Sequence, residues 1–246
     1  MRATAQLLTL LALFCTSETG HAQSPAPVPP IAVLELFTSQ GCSACPPADT
    51  MLKAYTERAD IIALSMSVDY WDHLGWKDTL GSSKHTARQK AYVKALNAGS
   101  VFTPQMVVNG AAQVVGSKKY DIEKALRATS KPAIGSPIAL TASRDAKRIL
   151  IEVGATESHD AVRSATVWLV SVSPQIDIEI KRGENRGKTL TYHNVVRDIA
   201  PVGMWAGKPV RIELPATAIV ETATRSAVLV QIDDGGPILR ATWIAQ

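Results

Sequence analysis

Cysteine is scarce in this chain. Only Cys15, Cys42 and Cys45 occur among 246 residues. That excludes a disulfide framework of the kind that braces small secreted domains. It also argues against structural zinc, which normally takes four ligands, because only one CxxC is present. Blocks of one charge are missing too. The 26 basic residues are interleaved with 22 acidic ones, for a net charge of +4. No stretch is built to follow a phosphate backbone, and no nucleic-acid partner is expected. Past the N-terminal segment, no apolar run is long enough to cross a bilayer. Hydrophobic residues make up 46% and charged residues 20%, so disorder does not describe the chain as a whole. The length suits one large domain or two small ones.

The N-terminus has the features of a signal peptide. Arg2 supplies the charged start, and Leu7 to Phe14 is an apolar stretch too short for a membrane span. Gly20-His21-Ala22 is a small-x-small cleavage site, which puts the cut after Ala22 and sends the protein to the periplasm or out of the cell. Cys15 would leave with this segment. Cys42 and Cys45 then remain, too close together to stabilise the chain by closing a loop. A bridge that stabilises so little is more useful as a reactive one.

Residues 23–30 are proline-rich and read as an extended leader. Ile31 to Phe37 is a short apolar run that suits a buried strand. Cys42-Ser43-Ala44-Cys45-Pro46-Pro47 follows. Ala48, Met51, Leu52 and Tyr55 then fall at helical spacing, and prolines are tolerated in a first helical turn. Asp60 to Val68 reads as a second strand and Thr86 to Asn97 as a helix. Gln105 to Val108 and Ala111 to Val115 flank an Asn109-Gly110 turn. A last helix is expected with Ser117 as its cap. This order of strands and helices is that of a thioredoxin fold. Beyond residues 131–137, a linker by composition, short alternating runs separated by Gly, Pro, Asp and Asn suggest a β-sandwich. The expected architecture is therefore an α/β thioredoxin-like N-terminal domain over 31–130, followed by an all-β sandwich-like C-terminal domain over 138–246.

Thiol exchange needs a thiolate, and a free cysteine titrates near ~8.5. A helix N-terminus supplies unpaired N–H groups that favour the anion. Cys42, nearer the exposed start, would attack a substrate disulfide, and Cys45 would resolve the mixed disulfide. Thr103-Pro104 precedes a strand, and a cis bond there would set the Thr103 backbone opposite the cysteines. Glu35 is an acid inside an apolar strand. It would either accept the proton of Cys45 or sit at a strand edge with its head in water. Asp69, Tyr70, Trp71, Asp72 and His73 form an aromatic, charged loop expected to line the site, as chemistry or as a packed lid. Glu184, Arg186 and His193 would join the site if the fold turns them towards it.

Four segments resemble a known family. They are Val33 to Asp49, Val68 to Lys77, Phe102 to Gly110 and Gly183 to Arg197. Together they are similar to exported bacterial thioredoxin-like proteins grouped as a domain of unknown function. The resemblance implies a thioredoxin-like first half and a β-rich second half, and it implies no activity. Compared with thioredoxin, the tryptophan before the first cysteine and the Gly-Pro between the two are missing, which speaks against a general reductase.

Two classes of function fit. One is a thiol–disulfide oxidoreductase that needs no cofactor and acts on protein or small-molecule thiols and disulfides, with its redox partner unidentified. The other is a binding module. In that reading the two thiolates, with His73 or Met106, would carry copper, or the bridge would be an inert staple.

Overall fold

The computed structural model describes residues 32–131, 133, 138–156 and 164–245. The expected signal peptide, the leader and most of the linker lie outside the described residues.

Ala32–Thr38 forms strand β1, and all seven of its residues are buried. Val33 and Phe37 enter one apolar cluster, while Ala32, Leu34 and Leu36 enter another on the opposite face. A strand covered on both faces reads as an unbroken apolar run, as this one does. Helix α1 is Pro46–Thr56, with its prolines in the first turn. Strand β2, Ile61–Ser67, runs parallel to β1. Helix α2, Ser83–Ala95, is capped by the Ser82 side chain, which accepts from Lys84 N. Strands β3, Gln105–Val108, and β4, Ala112–Val115, form a hairpin. Its turn places Asn109 and Gly110 at φ 52° and 63°, the region such a turn requires. Helix α3 is Lys119–Ala128. Its cap position is Lys118 rather than the expected Ser117, and no side chain closes it.

Among the described residues, the second half supplies seven strands. They are β5 Leu140–Arg144, β6 Arg148–Val153, β7 Ala165–Glu179, β8 Thr189–Trp205, β9 Val210–Pro215, β10 Arg225–Ile232 and β11 Ile238–Trp243. The alternating runs of residues 165–172 and 176–179 join into the single strand β7. Ser173 pairs with Val195 and Gln175 with His193, so Pro174 interrupts the ladder without ending the strand.

The expected division into a thioredoxin-like domain and a separate all-β domain is overturned by the pairing. One eight-stranded mixed sheet runs in the order β11-β10-β7-β8-β2-β1-β3-β4. Strand β8 lies parallel beside β2, joined at Ser65 and Val195. The buried Asn194 side chain adds a hydrogen bond from Nδ2 to Ala63 O at 2.9 Å, across 131 positions of sequence. All seven residues of β2 are buried, so without β8 its outer N–H and C=O groups would lack partners in the interior. The three-stranded sheet β5-β6-β9 packs on the C-terminal part of the shared sheet. Ile149, Ile151, Val167, Trp205, Val228 and Val230 fill the space between. Among the described residues, three α-helices cover the remainder: α1 and α3 on one face of β1, α2 on the other. Among the described residues, no helix is long and apolar enough to cross a membrane.

Candidate functional site

Cys42 and Cys45 are joined by a disulfide, with their Cα atoms 5.4 Å apart. Cys45 is the N-cap of α1, and its carbonyl accepts from Ala48 N at 2.8 Å and Asp49 N at 3.1 Å. The bridge therefore sits on the positive end of the helix. Cys42 is 2% exposed and Cys45 0%, while Ser43 and Ala44 between them are exposed. The Thr103–Pro104 peptide bond is cis, and the Cys42 sulfur lies 3.8 Å from Thr103 O. Cys42, Cys45, Thr103 and Pro104 are thus brought together.

The loop before Cys42 is held by the segment expected to line it. Gln40 N donates to Asp78 Oδ2 at 2.8 Å. Gln40 Oε1 accepts from Trp76 Nε1 at 2.8 Å. Trp71 donates from Nε1 to Thr103 Oγ1 at 2.9 Å. A Cβ on Gly41 would lie 3.2 Å from Trp71 Cβ, so a side chain there would have to displace the tryptophan by a few tenths of an ångström. Asp72 accepts from Asp78 N at 2.9 Å. Asp69 turns to α2 instead, accepting from Thr86 Oγ1 at 2.6 Å. His73 is exposed, its Nδ1 2.9 Å from Tyr70 O, and it bonds no residue of the cysteine loop.

Glu35 is not brought to the cysteines. It shares the Val33 and Phe37 face of β1, turned towards α2. There it accepts from Arg88 Nε at 2.6 Å and Nη2 at 3.2 Å, and from the Tyr92 hydroxyl. Arg88 also lies over the rings of Tyr92 and Trp168, at 5.1 Å and 5.2 Å. The cluster is a buried ion pair in the core.

The acid under the bridge is Asp49, which sequence reasoning missed. It is 4% exposed and one helical turn beyond Cys45, on the same face of α1. Neither carboxyl oxygen forms a hydrogen bond of good geometry. Burial pushes its pKa from 3.8 to about 8; the Thr38 hydroxyl opposes the rise and the Asp78 charge adds to it. Asp78 itself is raised to about 6 by burial, although Gln40 N and Leu80 N donate to it. The buried Tyr192 hydroxyl is pushed well above its ordinary value, first by burial and then by the charges of Asp49 and Asp78. The available signal was spacing, since Asp49 falls among the helix positions 48, 52 and 55 that face the core.

The second half of the chain also reaches the site. The tip between β7 and β8, residues 183–187, packs on the cysteine loop. Asn185 is fully buried and donates from Nδ2 to Gln40 O at 3.0 Å and to Cys42 O at 2.9 Å. Glu184 accepts from Ser43 N at 3.2 Å, and the Ser43 hydroxyl and N–H hold its carboxyl below the usual range. Of the residues left conditional, Glu184 joins the site. Arg186 is exposed on the same tip. His193 lies apart, lining a groove of about 420 Å³ between α1 and β8 with Pro46, Asp49 and Lys53. Among the described residues, no group of three or more His, Cys, Asp or Glu side chains is placed to hold a metal ion.

The chain is similar to a crystal structure of a protein from Agrobacterium tumefaciens, with 33% identity and a TM-score of 0.76, over 89% of this chain and 96% of that one. It shares its fold with HBP35 of Porphyromonas gingivalis, at 14% identity and a TM-score of 0.54, over 87% of this chain and 74% of that one. No curated protein matches it. A family model matches residues 33–231, most of the sequence, and the chain belongs to that family, described as "Protein of unknown function (DUF1223)".

Proposed function

We propose that this protein is an exported thiol–disulfide oxidoreductase working at Cys42 and Cys45. The observation that carries the reading is the disulfide seated on the N-terminus of α1, with its Cys42 sulfur 3.8 Å from Thr103 O. The helix end favours the thiolate of a reduced Cys42. That thiolate attacks a substrate disulfide and releases one substrate thiolate. Cys45 then gives up its proton and attacks the Cys42 sulfur, which frees the second thiolate and restores the bridge. The substrate gains two electrons and the protein dithiol loses them.

Asp49 is the acceptor for the Cys45 proton. It is buried on the same helical face, one turn away, and its carboxyl oxygens accept no hydrogen bond of good geometry. A group raised to about 8 exchanges protons near neutral pH. Both sulfurs are shielded in the oxidised form, so a partner approaches over Ser43 and Ala44, the exposed side of the loop. Export to the periplasm or beyond is supported by the signal-peptide pattern of the first 22 residues, and an oxidising compartment suits the bridge.

Single cysteine variants test the reading. Cys45→Ser should accumulate a mixed disulfide through Cys42 when offered a small disulfide, and Cys42→Ser should not. Mass spectrometry reads the adduct. Equal adduct formation by both variants, or by neither, would sink the proposal.

A further inference from the structure

The tip on the cysteine loop is strongly basic. Lys181, Arg182, Arg186 and Lys188 stand against Glu184 alone, a local charge of +3 within eight residues, whereas the whole chain carries only +4. All five side chains are exposed. The single acid is already engaged with Ser43 at the helix end. Lys188 donates from Nζ to Asn185 Oδ1 at 3.0 Å, which stiffens the tip. None of Lys181, Arg182 and Arg186 forms an ion pair among the described residues.

The tip cannot drift from the site without loss. Asn185 is fully buried and bonds the carbonyl of Cys42 itself. Its direct neighbour Arg186, exposed, is therefore held near the exposed Ser43 and Ala44, since Glu184 on the same tip accepts from Ser43 N. Two further features point the same way. Gly183 at φ 77° and Gly187 at φ 80° bracket the turn that carries Glu184, Asn185 and Arg186. The exposed Lys77, next to the bracing Trp76, adds another cation beyond Gln40. Unpaired cations around a reaction site raise the local concentration of anionic partners and repel cationic ones.

We infer that the basic tip of residues 181–188 selects disulfides that carry carboxylates close to their sulfurs. This rests on the exchange reaction proposed above and names its substrate class. The carboxylates meet Arg182 and Arg186 while Cys42 attacks the sulfur. They can belong to a small molecule or to acidic residues flanking a disulfide in a polypeptide.

The test uses the full mature chain, reduced beforehand. Its rate is measured against dithiodiglycolate, which is anionic, bis(hydroxyethyl) disulfide, which is neutral, and cystamine, which is cationic. A bridged peptide with aspartates beside its cysteines is measured against one with lysines there. Each second-order rate constant is divided by that of free mercaptoethanol with the same disulfide, which removes the differing acidities of the leaving thiols. At low salt the normalised constant should favour the anionic member over the cationic one by about tenfold, and high salt should shrink the ratio towards one. Arg182→Gln with Arg186→Gln should cut the ratio severalfold, whereas Lys147→Gln, in the β5–β6 turn of the second sheet, should leave it as it was. Preference within the small disulfides alone, or within the peptides alone, identifies the source and upholds the selection. Equal normalised rates across charges, or an unchanged ratio in the double variant, overturn it. Exchange with none of the disulfides would instead remove the oxidoreductase reading beneath it.

Discussion

Replacing Asp49 by asparagine tests the buried acid in a way that does not depend on activity. The folded protein holds the Asp49 proton up to about pH 8, while the unfolded chain releases it near 3.8. Between those values the native state binds one more proton than the unfolded state. Stability therefore falls as pH rises through that window, and it is unaffected below it. A full proton difference is worth about 1.4 kcal/mol per pH unit. Over the whole window of about 4 pH units the loss is about 6 kcal/mol. Asparagine does not titrate, so the variant escapes the decline. Its amide is equally short of partners, but that cost is the same at every pH. Asp78 lowers the stability of both proteins alike as it ionises near 6. Urea unfolding of oxidised Asp49→Asn and its parent, from about pH 5 to about pH 8.5, isolates the effect. The stability difference should move towards the variant by more than about 2 kcal/mol across that range. A difference flat to within about 0.5 kcal/mol would refute the raised carboxyl and with it the proton-accepting role.

Other outcomes follow from individual contacts. Asn185→Ala leaves the Gln40 carbonyl without its side-chain donor and the Cys42 carbonyl with Cys45 N alone, and should cost about 1–3 kcal/mol in urea unfolding. The same variant should let a small phosphine reduce the bridge faster, which timed alkylation would show. Glu35→Gln removes the counter-charge of the buried Arg88 and should destabilise by about 3–5 kcal/mol by thermal unfolding; a loss under about 1 kcal/mol would mean that the pair is not holding the core. Gly110→Ala combines a positive φ with a Cβ that would lie 2.6 Å from Gly236 O, and should cost at least about 1 kcal/mol.

Much of the local structure was legible. The apolar runs marked β1 and β2, the paired prolines marked the start of α1, and Asn109-Gly110 marked its hairpin. Each of these signals acts within a few residues. The site was readable to the same depth. Cys42, Cys45 and Thr103-Pro104 meet because they end or begin elements the pattern had located. Glu35 was misjudged because alternation puts it on one face of β1 or the other, and which face meets α1 is not written in β1. Asp49 was passed over because an acid in the first turn of a helix is ordinarily solvated and favourable to the dipole. Tertiary packing buries it, with Thr38 of β1 and Tyr192 of β8 beside it.

Sequence alone therefore determined the elements, the bridge-forming cysteine pair and its position at a helix start, since propensity, spacing and turn chemistry are local. Tertiary structure alone decided that the two halves share one sheet. The join between β2 and β8 depends on backbone groups, which every residue carries and no residue type reveals. It likewise decided that a hairpin tip from the second half, through Asn185, completes the cysteine site: a hydrogen bond across 143 positions leaves no trace in the spacing of either partner.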